Sequence, residues 1–376
     1  MKISPKTQIQ INQVLIITVF WIVCGIFFSL YKCINYDVDS STFLFIVPFN
    51  YTLGKFILVN SVGPAFGGIV GGGFLTLYLN EKFKSRSYGF FILYNLMFFF
   101  VFIFTLNTVV SYFFLYHEKI VTSDNSFREA LRLLVFDPYA IRNVFTWLII
   151  AVFTLQSFKI YEKYGHGIML SMFLGKFHRP HEVQRIFMFL DLSNSTSLAE
   201  RLGHVRFFEL LRDFYFDITD PILNSKGQIY QYVGDEVVIS WALSGDPHCL
   251  DCFFRIAEAI DQRRHIYLEK YGVQPDFKGA IHKGAVVIGE MGVIKKEIVY
   301  SGDILNTTSR IVEQCKIYQQ KLIASSDALE LFESVKLKTY QLLPLGNMTL
   351  RGKSQSIELF GVERVTELSK SELINV

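Results

Sequence analysis

The sequence contains little charge. Only 19% of its 376 residues are charged, whereas 51% are hydrophobic and 16% aromatic, which is too apolar for an ordinary soluble protein. The net charge of +3 is small, and no basic stripe interleaved with aromatic residues is present, so we expect no nucleic-acid partner. The scarcity of charge therefore predicts a part that lies in a lipid bilayer.

Cysteine is also scarce, with five residues scattered along the chain, and this argues against a disulfide framework. Cys249 and Cys252 have the CxxC spacing that is typical of zinc ligands, but a second pair is missing and zinc needs four ligands. Because the two cysteines begin the apolar helix pattern LDCFFRIAEAI, we interpret them as a buried pair rather than a metal site.

Long apolar runs are confined to about the first 160 residues, where a helix of about 20 residues would cross a hydrocarbon core. The four best runs cover residues 13–30, 58–79, 88–114 and 144–158. By the positive-inside rule, both chain ends are cytoplasmic, because basic residues follow the second and fourth runs (Lys82, Lys84, Arg86, Lys159, Lys163, Lys176 and Arg179). We therefore expect an all-α transmembrane bundle of four helices in the cell (inner) membrane.

The second run contains the motif GPAFGGIVGGGF, in which Gly63, Gly67 and Gly71 recur at four-residue spacing. Small residues let membrane helices approach closely. Packing within one bundle and a seam between two copies of the chain are both compatible with this motif. Ionisable residues are scarce within the four runs, which argues against a pump or a channel.

The pattern changes after the fourth run. Residues 157–184 mix charged and apolar positions, as a helix leaving the membrane would, and Gly175 and Pro180 end this pattern. Strand and helix patterns then alternate: a strand at 185–191, helices near 195–224, a hairpin at 228–242, a helix at 248–271, strands at 278–288 and 297–301, a helix at 303–317 and a β-rich end. We predict a transmembrane part (1–160), a helical connector (161–184) that pairs with its copy in a dimer, an α+β domain (185–365) and a tail (366–376).

Two apolar runs each stop on a single carboxylate. The run RIFMFLDL reaches Asp191, and YQYVGDEVVISW turns at Asp235. A helix cap is an alternative for Asp191, although Ser193, Asn194 and Ser195 are better placed for it, and a plain turn is an alternative for Asp235. Magnesium is usually held by one or two carboxylates plus substrate phosphates. The pair therefore predicts a metal site, provided that the two strands are neighbours.

The segment NTTSR places Asn306 and Arg310 four residues apart, and therefore on one face of a helix. An amide and a guanidinium in this arrangement suit a phosphate or a ribose. A solvated helix face is the alternative.

Four segments, FMFLDLSNSTSLAERLG, YVGDEVVISW, GAVVIGEMG and SGDILNTTSRI, resemble the class III nucleotide cyclases in order and spacing, over nearly all of residues 185–365. The resemblance implies an α+β domain with a ferredoxin-like core that converts ATP into 3′,5′-cyclic AMP and pyrophosphate. It also implies two Mg²⁺ or Mn²⁺ ions per active site, held by Asp191, Asp235 and the main-chain carbonyl of Leu192.

The resemblance further implies a homodimer in which one protomer supplies the metal-binding acids and the other supplies Asn306 and Arg310. Asn306 would orient the ribose, and Arg310 would stabilise the pentavalent transition state. In LRGKSQSIELF, Arg351 occupies the position where the family has a lysine that grips the terminal phosphates, and arginine also binds phosphate, in bidentate fashion.

The base-recognition positions depart from the family pattern. Gln231 stands where adenylate cyclases have lysine and guanylate cyclases have glutamate, and Val299 stands at the partner position. Glutamine both donates and accepts hydrogen bonds. ATP is therefore favoured as the nucleoside triphosphate substrate only by the frequency of adenylate cyclases among bacterial-looking members of the family, and GTP or a pyrimidine triphosphate stays open.

Two other functions fit the sequence less well. A membrane sensor with a degenerate, regulatory cyclase-like domain would be favoured by loss of Asp191, Asp235 or Arg310, and all three residues are present. A diguanylate cyclase of related fold would carry a GG[DE]EF-like segment at the hairpin, where VGDEV is found instead.

Overall fold

The computed structural model describes residues 5–35, 53–79, 87–117, 138–164, 174–243, 248–332, 339–349 and 356–365, together with residues 82, 128, 131, 132 and 171. The chain divides into two compact units, Met1–Leu170 and Ser171–Val376.

The first unit consists of long apolar helices. They are α1 (Pro5–Asn35), α2 (Leu53–Gly73), which continues as a π-helical stretch over Phe74–Leu79, α3 (Tyr88–His117) and α4 (Pro138–Tyr164). Each of the four apolar runs in the sequence lies inside one of these segments. Four stretches are long and apolar enough to cross a membrane: Thr7–Tyr31, Ser61–Leu79, Gly89–Val109 and Ile141–Ile160. The predicted four-helix part is therefore confirmed.

The glycines of α2 pack against α1 and α3 within one chain. A β-carbon at Gly68 would lie 2.5 Å from Thr18 Cα of α1, and one at Gly71 would lie 2.9 Å from the Phe99 ring of α3. Trp21 of α1 donates a hydrogen bond of 3.0 Å from Nε1 to Thr154 Oγ1 of α4. These contacts favour packing inside one bundle for Gly68 and Gly71, whereas a β-carbon at Gly63, the first glycine of the motif, would meet no atom within 4 Å.

The second unit alternates strands and helices. In chain order its elements are β1 (His181–Leu192), α5 (Ser195–Leu202), α6 (His204–Asn224), β2 (Gln228–Val233), β3 (Glu236–Ala242), α7 (Cys249–Gln262), α8 (Arg264–Tyr271), β4 (Phe277–Met291), β5 (Glu297–Ser301), α9 (Asp303–Ile317), β6 (Leu322–Ser325), α10 (Ser326–Leu329), β7 (Tyr340–Thr349) and β8 (Ser356–Arg364).

These strands form one eight-stranded sheet in the order β2-β3-β1-β4-β6-β8-β7, and β5 pairs with the far end of β4. The antiparallel strands β4, β1, β3 and β2, with helices between β1 and β2 and between β3 and β4, form the expected ferredoxin-like core. The predicted α+β fold is confirmed.

Both faces of β1 are buried, which explains why its sequence is continuously apolar rather than alternating. Ile186, Met188 and Leu190 pack against the helices α6 and α7 on one face. Phe187 and Phe189 pack on the other face against residues of α9 such as Ile311.

The element boundaries differ from the sequence-based expectation at three places. The helix expected over 248–271 is divided into α7 and α8 at Arg263. The strand expected from residue 185 begins at His181, so the last residues of the expected helical connector belong to β1. Residues 174–179 form turns and bends instead of the expected helix, and the main-chain carbonyl of Phe177 accepts a hydrogen bond of 2.9 Å from the Glu290 N–H of β4.

Candidate active site

The two acids singled out in the sequence meet where β1 ends and the β2–β3 hairpin turns. Asp191 is the penultimate residue of β1, and the turn of the hairpin is Gly234-Asp235, with Gly234 at φ 64°. The register pairs Asp191 with Glu236, the residue directly after the turn. The strands β1 and β3 are therefore neighbours, as the metal-site hypothesis requires.

The electrostatics of Asp191 reflect this arrangement. Partial burial is the largest cause that raises the pKa of Asp191, Lys278 opposes the shift, and Asp235 adds to it through its charge and a hydrogen bond. Asp191 and Asp235 therefore lie close enough to repel each other when both are ionised. The alternative cap role is not observed for Asp191, because Asn194 occupies the cap position of α5, although without a side-chain capping bond.

A third carboxylate, Glu236, belongs to the same cluster and was missed by sequence reasoning. Burial, followed by the charges of Asp191 and Asp235, raises the pKa of Glu236 to about 7. The signal for it was the GDE triplet, which places a second carboxylate directly after the turn, and the pairing of Glu236 with Asp191 brings the two side chains to the same face of the sheet.

The donor set of this cluster fits magnesium or manganese. It offers hard carboxylate oxygens, and Leu192, whose main-chain carbonyl is the third expected ligand, is the last residue of β1. The described part of the chain contains no group of three or more acidic, histidine or cysteine side chains that could hold a metal ion. The carboxylates of Asp191 and Asp235 are therefore the side chains on which the metal-site hypothesis rests.

Lys278 balances part of the negative charge. It lies on β4, its register partner is Asp191, and its Nζ is 3.1 Å from Asp191 Oδ2. The side chains of both residues are about a quarter exposed, at 23% and 24%. Sequence reasoning missed this contact, because the pairing of β1 with β4 is a tertiary feature.

Tyr215 of α6 holds the hairpin turn in place. Its hydroxyl donates a hydrogen bond of 2.7 Å to the main-chain carbonyl of Gly234, and its ring lies 4.5 Å from the ring of Tyr232. Burial, followed by the charge of Asp235, raises the pKa of Tyr215 to about 12, so the hydroxyl stays protonated and remains a donor.

The two base-contact candidates lie on strands that do not pair with each other. Gln231 is exposed on β2 opposite Val238, and Val299 is half-buried on β5 opposite Gly289. The residues next to them do touch: the Tyr300 N–H donates a hydrogen bond of 3.1 Å to Tyr230 Oη.

The rings of Tyr230 and Tyr300 are also 4.8 Å apart in an edge-on arrangement. The guanidinium of Arg185 lies 5.3 Å from the centre of the Tyr300 ring. The structure thus joins β2 and β5 through side chains at the positions adjacent to Gln231 and Val299.

Asn306 and Arg310 both lie on α9. Asn306 is exposed and Arg310 is half-buried and engaged in contacts, while Ile304 and Ile311 of the same helix are buried against the sheet. The helical spacing expected for the pair is therefore confirmed. The last candidate, Arg351, lies outside the described residues.

The CxxC pair lies in the core of the second unit. Cys249 and Cys252 are free and buried, and burial raises the pKa of each thiol to about 12. The interpretation as a buried pair is confirmed.

Comparison with known proteins gives a match in the same part of the chain. Residues 180–363 match the sequence profile of the family described as Adenylate and Guanylate cyclase catalytic domain. The chain is 33% identical over 207 residues to Adenylate cyclase 2 of Rhizobium meliloti (strain 1021). The aligned region covers 54% of this chain and 56% of that protein. It is 28% identical over 179 residues to an uncharacterized protein of Mycobacterium tuberculosis, and this aligned region covers 46% of this chain and 30% of that protein.

The chain thus spans about half the length, or less, of these curated relatives. Among solved structures, a bacterial light-regulated adenylyl cyclase aligns with a TM-score of 0.51 at 18% identity, over 61% of this chain and 67% of that chain. This likeness shows a shared fold.

Proposed function

Residues 180–363 belong to the adenylate and guanylate cyclase catalytic domain family, and from this membership we propose that the chain is a membrane-bound nucleotide cyclase that converts ATP into 3′,5′-cyclic AMP and pyrophosphate. In this reaction the ribose 3′-oxygen attacks the α-phosphate and pyrophosphate leaves. The observation that carries the proposal is the meeting of Asp191 and Asp235 at the end of β1, beside a hairpin turn that Tyr215 fixes. The relative named as an adenylate cyclase supports ATP as the substrate.

In this proposal Asp191, Asp235 and the main-chain carbonyl of Leu192 hold two Mg²⁺ or Mn²⁺ ions per active site. Their oxygens are the hard ligands that these ions prefer. When bound, the ions supply positive charge that favours the ionised 3′-hydroxyl and the charged phosphates. Asp191 is partly buried, so less water surrounds its carboxylate. The attraction between this carboxylate and a bound cation is therefore stronger than it would be in water.

Arg310 and Asn306 act on the α-phosphate and on the ribose of the substrate. The guanidinium of Arg310 stabilises the negative charge that develops on the α-phosphate, which is the kind of electrostatic contribution that dominates many enzymes. Asn306, which is exposed one turn earlier on α9, orients the ribose. Arg351 binds the terminal phosphates in bidentate fashion.

We place the acids of one protomer opposite the α9 helix of its partner, so that a homodimer holds two composite sites. A monomer would then be nearly inactive. The exposure of Asn306 and Gln231 supports this arrangement, because both side chains are accessible to a substrate held partly by a second copy.

Base selection is assigned to Gln231 and Val299. The amide of Gln231 both donates and accepts hydrogen bonds, so it can pair with the polar edge of adenine. Because the same amide could also pair with other bases, GTP or a pyrimidine triphosphate is the alternative substrate. The half-buried Val299 supplies an apolar contact.

We further propose that the four long apolar helices anchor the chain in the cell (inner) membrane as a multi-pass protein, with the catalytic domain in the cytoplasm. Their length and hydropathy support the spans. The basic residues after the second and fourth runs support the orientation.

The activity is tested by incubating the purified full-length protein with each of the four nucleoside triphosphates and Mg²⁺ or Mn²⁺, and identifying products by mass spectrometry. We expect cyclic AMP from ATP. Absence of every cyclic product with both metals would contradict the proposed activity, and a different cyclic nucleotide would correct only the base assignment.

Subunit sharing is tested by complementation. Asp191→Ala and Arg310→Ala are each expected to be inactive, and a mixed dimer of the two should regain activity because one composite site is intact. Mixing Asp191→Ala with Asp235→Ala is the matched control, since both defects then lie on the same side of the site and no intact site forms. No recovery in demonstrably mixed dimers would show that each site lies within one chain.

A further inference from the structure

Lys278 is a cation that contacts the acidic cluster. Its Nζ lies 3.1 Å from Asp191 Oδ2, and the side chains of both residues are about a quarter exposed. Three carboxylates, Asp191, Asp235 and Glu236, thus share one place at the end of β1. Lys278 offsets part of their charge through its contact with Asp191.

The position of Lys278 is set by the sheet, whereas its charged end is adjustable. Twelve consecutive register pairs join β1 to β4, and Lys278 is paired with Asp191 in this ladder. Its backbone is therefore fixed opposite the acid. A lysine ammonium is a compact charge on a flexible four-carbon stem, so it can leave the carboxylate without any change in the strand.

A metal ion and Lys278 have opposing requirements at Asp191. The ammonium uses Oδ2 as a hydrogen-bond acceptor and repels any other cation that approaches it. A divalent ion needs the same carboxylate as a ligand. Both therefore draw on the charge of one side chain.

We propose that Lys278 is a built-in counter-ion of the acidic cluster, which neutralises Asp191 in the metal-free protein and is displaced from Oδ2 when the metal arrives. This inference rests on the proposed metal-binding role of Asp191 and Asp235. Lys278 lowers the affinity of the empty site for free metal, so that the site is loaded efficiently only when nucleotide phosphates add their own ligands and charge. Lys278 is thus a positioning residue that couples metal binding to substrate binding.

The test is direct metal binding to the full-length protein without nucleotide. Mn²⁺ affinity is measured by titration with electron paramagnetic resonance detection for wild type, Lys278→Met and Lys278→Arg. Removing one positive charge next to the carboxylate should tighten Mn²⁺ binding by about tenfold or more. Lys278→Arg keeps the charge and should stay within about threefold of wild type.

Lys283→Met is the matched control. Lys283 lies on the same strand, its side chain is also 23% exposed, and it is paired with a different acid, Glu330, at 3.7 Å. Its loss should leave Mn²⁺ affinity unchanged.

Thermal unfolding gives a second readout that needs no activity. The metal-free Lys278→Met protein should melt below wild type, because its carboxylates lose their counter-ion, and saturating Mn²⁺ should raise its melting temperature by more than it raises that of wild type. Equal or weaker Mn²⁺ binding by Lys278→Met, including no binding by either protein, overturns the inference. Asp191→Ala tests the proposed metal site independently of Lys278. If this variant binds Mn²⁺ as tightly as wild type, the assignment of Asp191 as a metal ligand is wrong.

Discussion

Replacement of Gly68 by alanine tests how the first unit is held together. A β-carbon at this position would lie 2.5 Å from Thr18 Cα, which is a backbone atom and cannot rotate away. The helices α1 and α2 would have to separate, which would also loosen the contact between Gly72 and Ile17. Overpacking of this kind costs about 1–3 kcal/mol.

Gly73 provides the matched control. It lies five residues further along the same helix, and a β-carbon there would meet no atom within 4 Å. Alanine is favoured over glycine in a helix by about 1 kcal/mol, and this gain applies to both variants. The difference between Gly68→Ala and Gly73→Ala therefore isolates the packing cost, which we expect to be about 2 kcal/mol, or roughly 5 °C in melting temperature.

The assay is thermal unfolding of the full-length protein in detergent, followed by tryptophan fluorescence, to which Trp21 and Trp147 of the first unit contribute. The fraction of dimer is measured in parallel by chemical crosslinking. We expect Gly68→Ala to unfold at lower temperature than Gly73→Ala, with equal dimer fractions. Equal melting temperatures combined with a loss of dimer in Gly68→Ala alone would refute the reasoning, because the glycine face would then serve contact between two copies.

Asp191→Ala and Asp235→Ala should each lower the rate of cyclisation by at least about 10³-fold while the circular dichroism spectrum stays that of wild type, because each change removes a metal ligand and leaves the core intact. Tyr230→Phe should raise KM for ATP about fivefold or more with a smaller effect on kcat, measured by steady-state kinetics, since the Tyr300 N–H loses its acceptor and β5 is less well fixed to β2. A fragment beginning at Ser171 should show specific activity that rises with protein concentration, whereas the full-length protein should not, because tethering replaces a bimolecular encounter by an effective concentration of order millimolar.

A specific result would contradict each of these three predictions. Substantial Mn²⁺-supported activity in either aspartate variant would contradict the two-metal assignment. For Tyr230→Phe the control is Tyr318→Phe, an exposed tyrosine at the end of α9, and equal kinetics in both variants would show that the Tyr230 hydroxyl does not position the base site. High specific activity of the fragment at nanomolar concentrations would mean that the catalytic domains dimerise unaided, so that the membrane part needs another role.

Local patterns were sufficient to predict most elements of the second unit. The Gly234-Asp235 pair marked the hairpin turn, and the apolar run before Asp191 marked a strand buried on both faces. The helix expected at 303–317 is α9, Asp303–Ile317. These features depend on residues that are neighbours in sequence, and the periodicity of side chains reports them directly.

Contacts between distant strands could not be predicted in the same way. Lys278 reaches Asp191 only because β4 pairs with β1 in one register, and the sequence contains no local sign of that register. The hydrogen bond from the Tyr300 N–H to Tyr230 Oη likewise joins two strands that do not pair. The break at Arg263 was missed because the apolar helix pattern continues through it.

The pairing of β4 with the segment that precedes β1 has a mechanical consequence. Phe177 is hydrogen-bonded to Glu290 near one end of β4, and Lys278 contacts Asp191 near the other, so one strand of 15 residues connects the arriving chain to the acids. The strand cannot slide, because a one-residue slip would turn every side chain of β4 to the opposite face. Because β1 and β4 are held together over twelve register pairs, a movement of the segment around Phe177 could be passed to the acids only by bending or twisting the two strands as a pair.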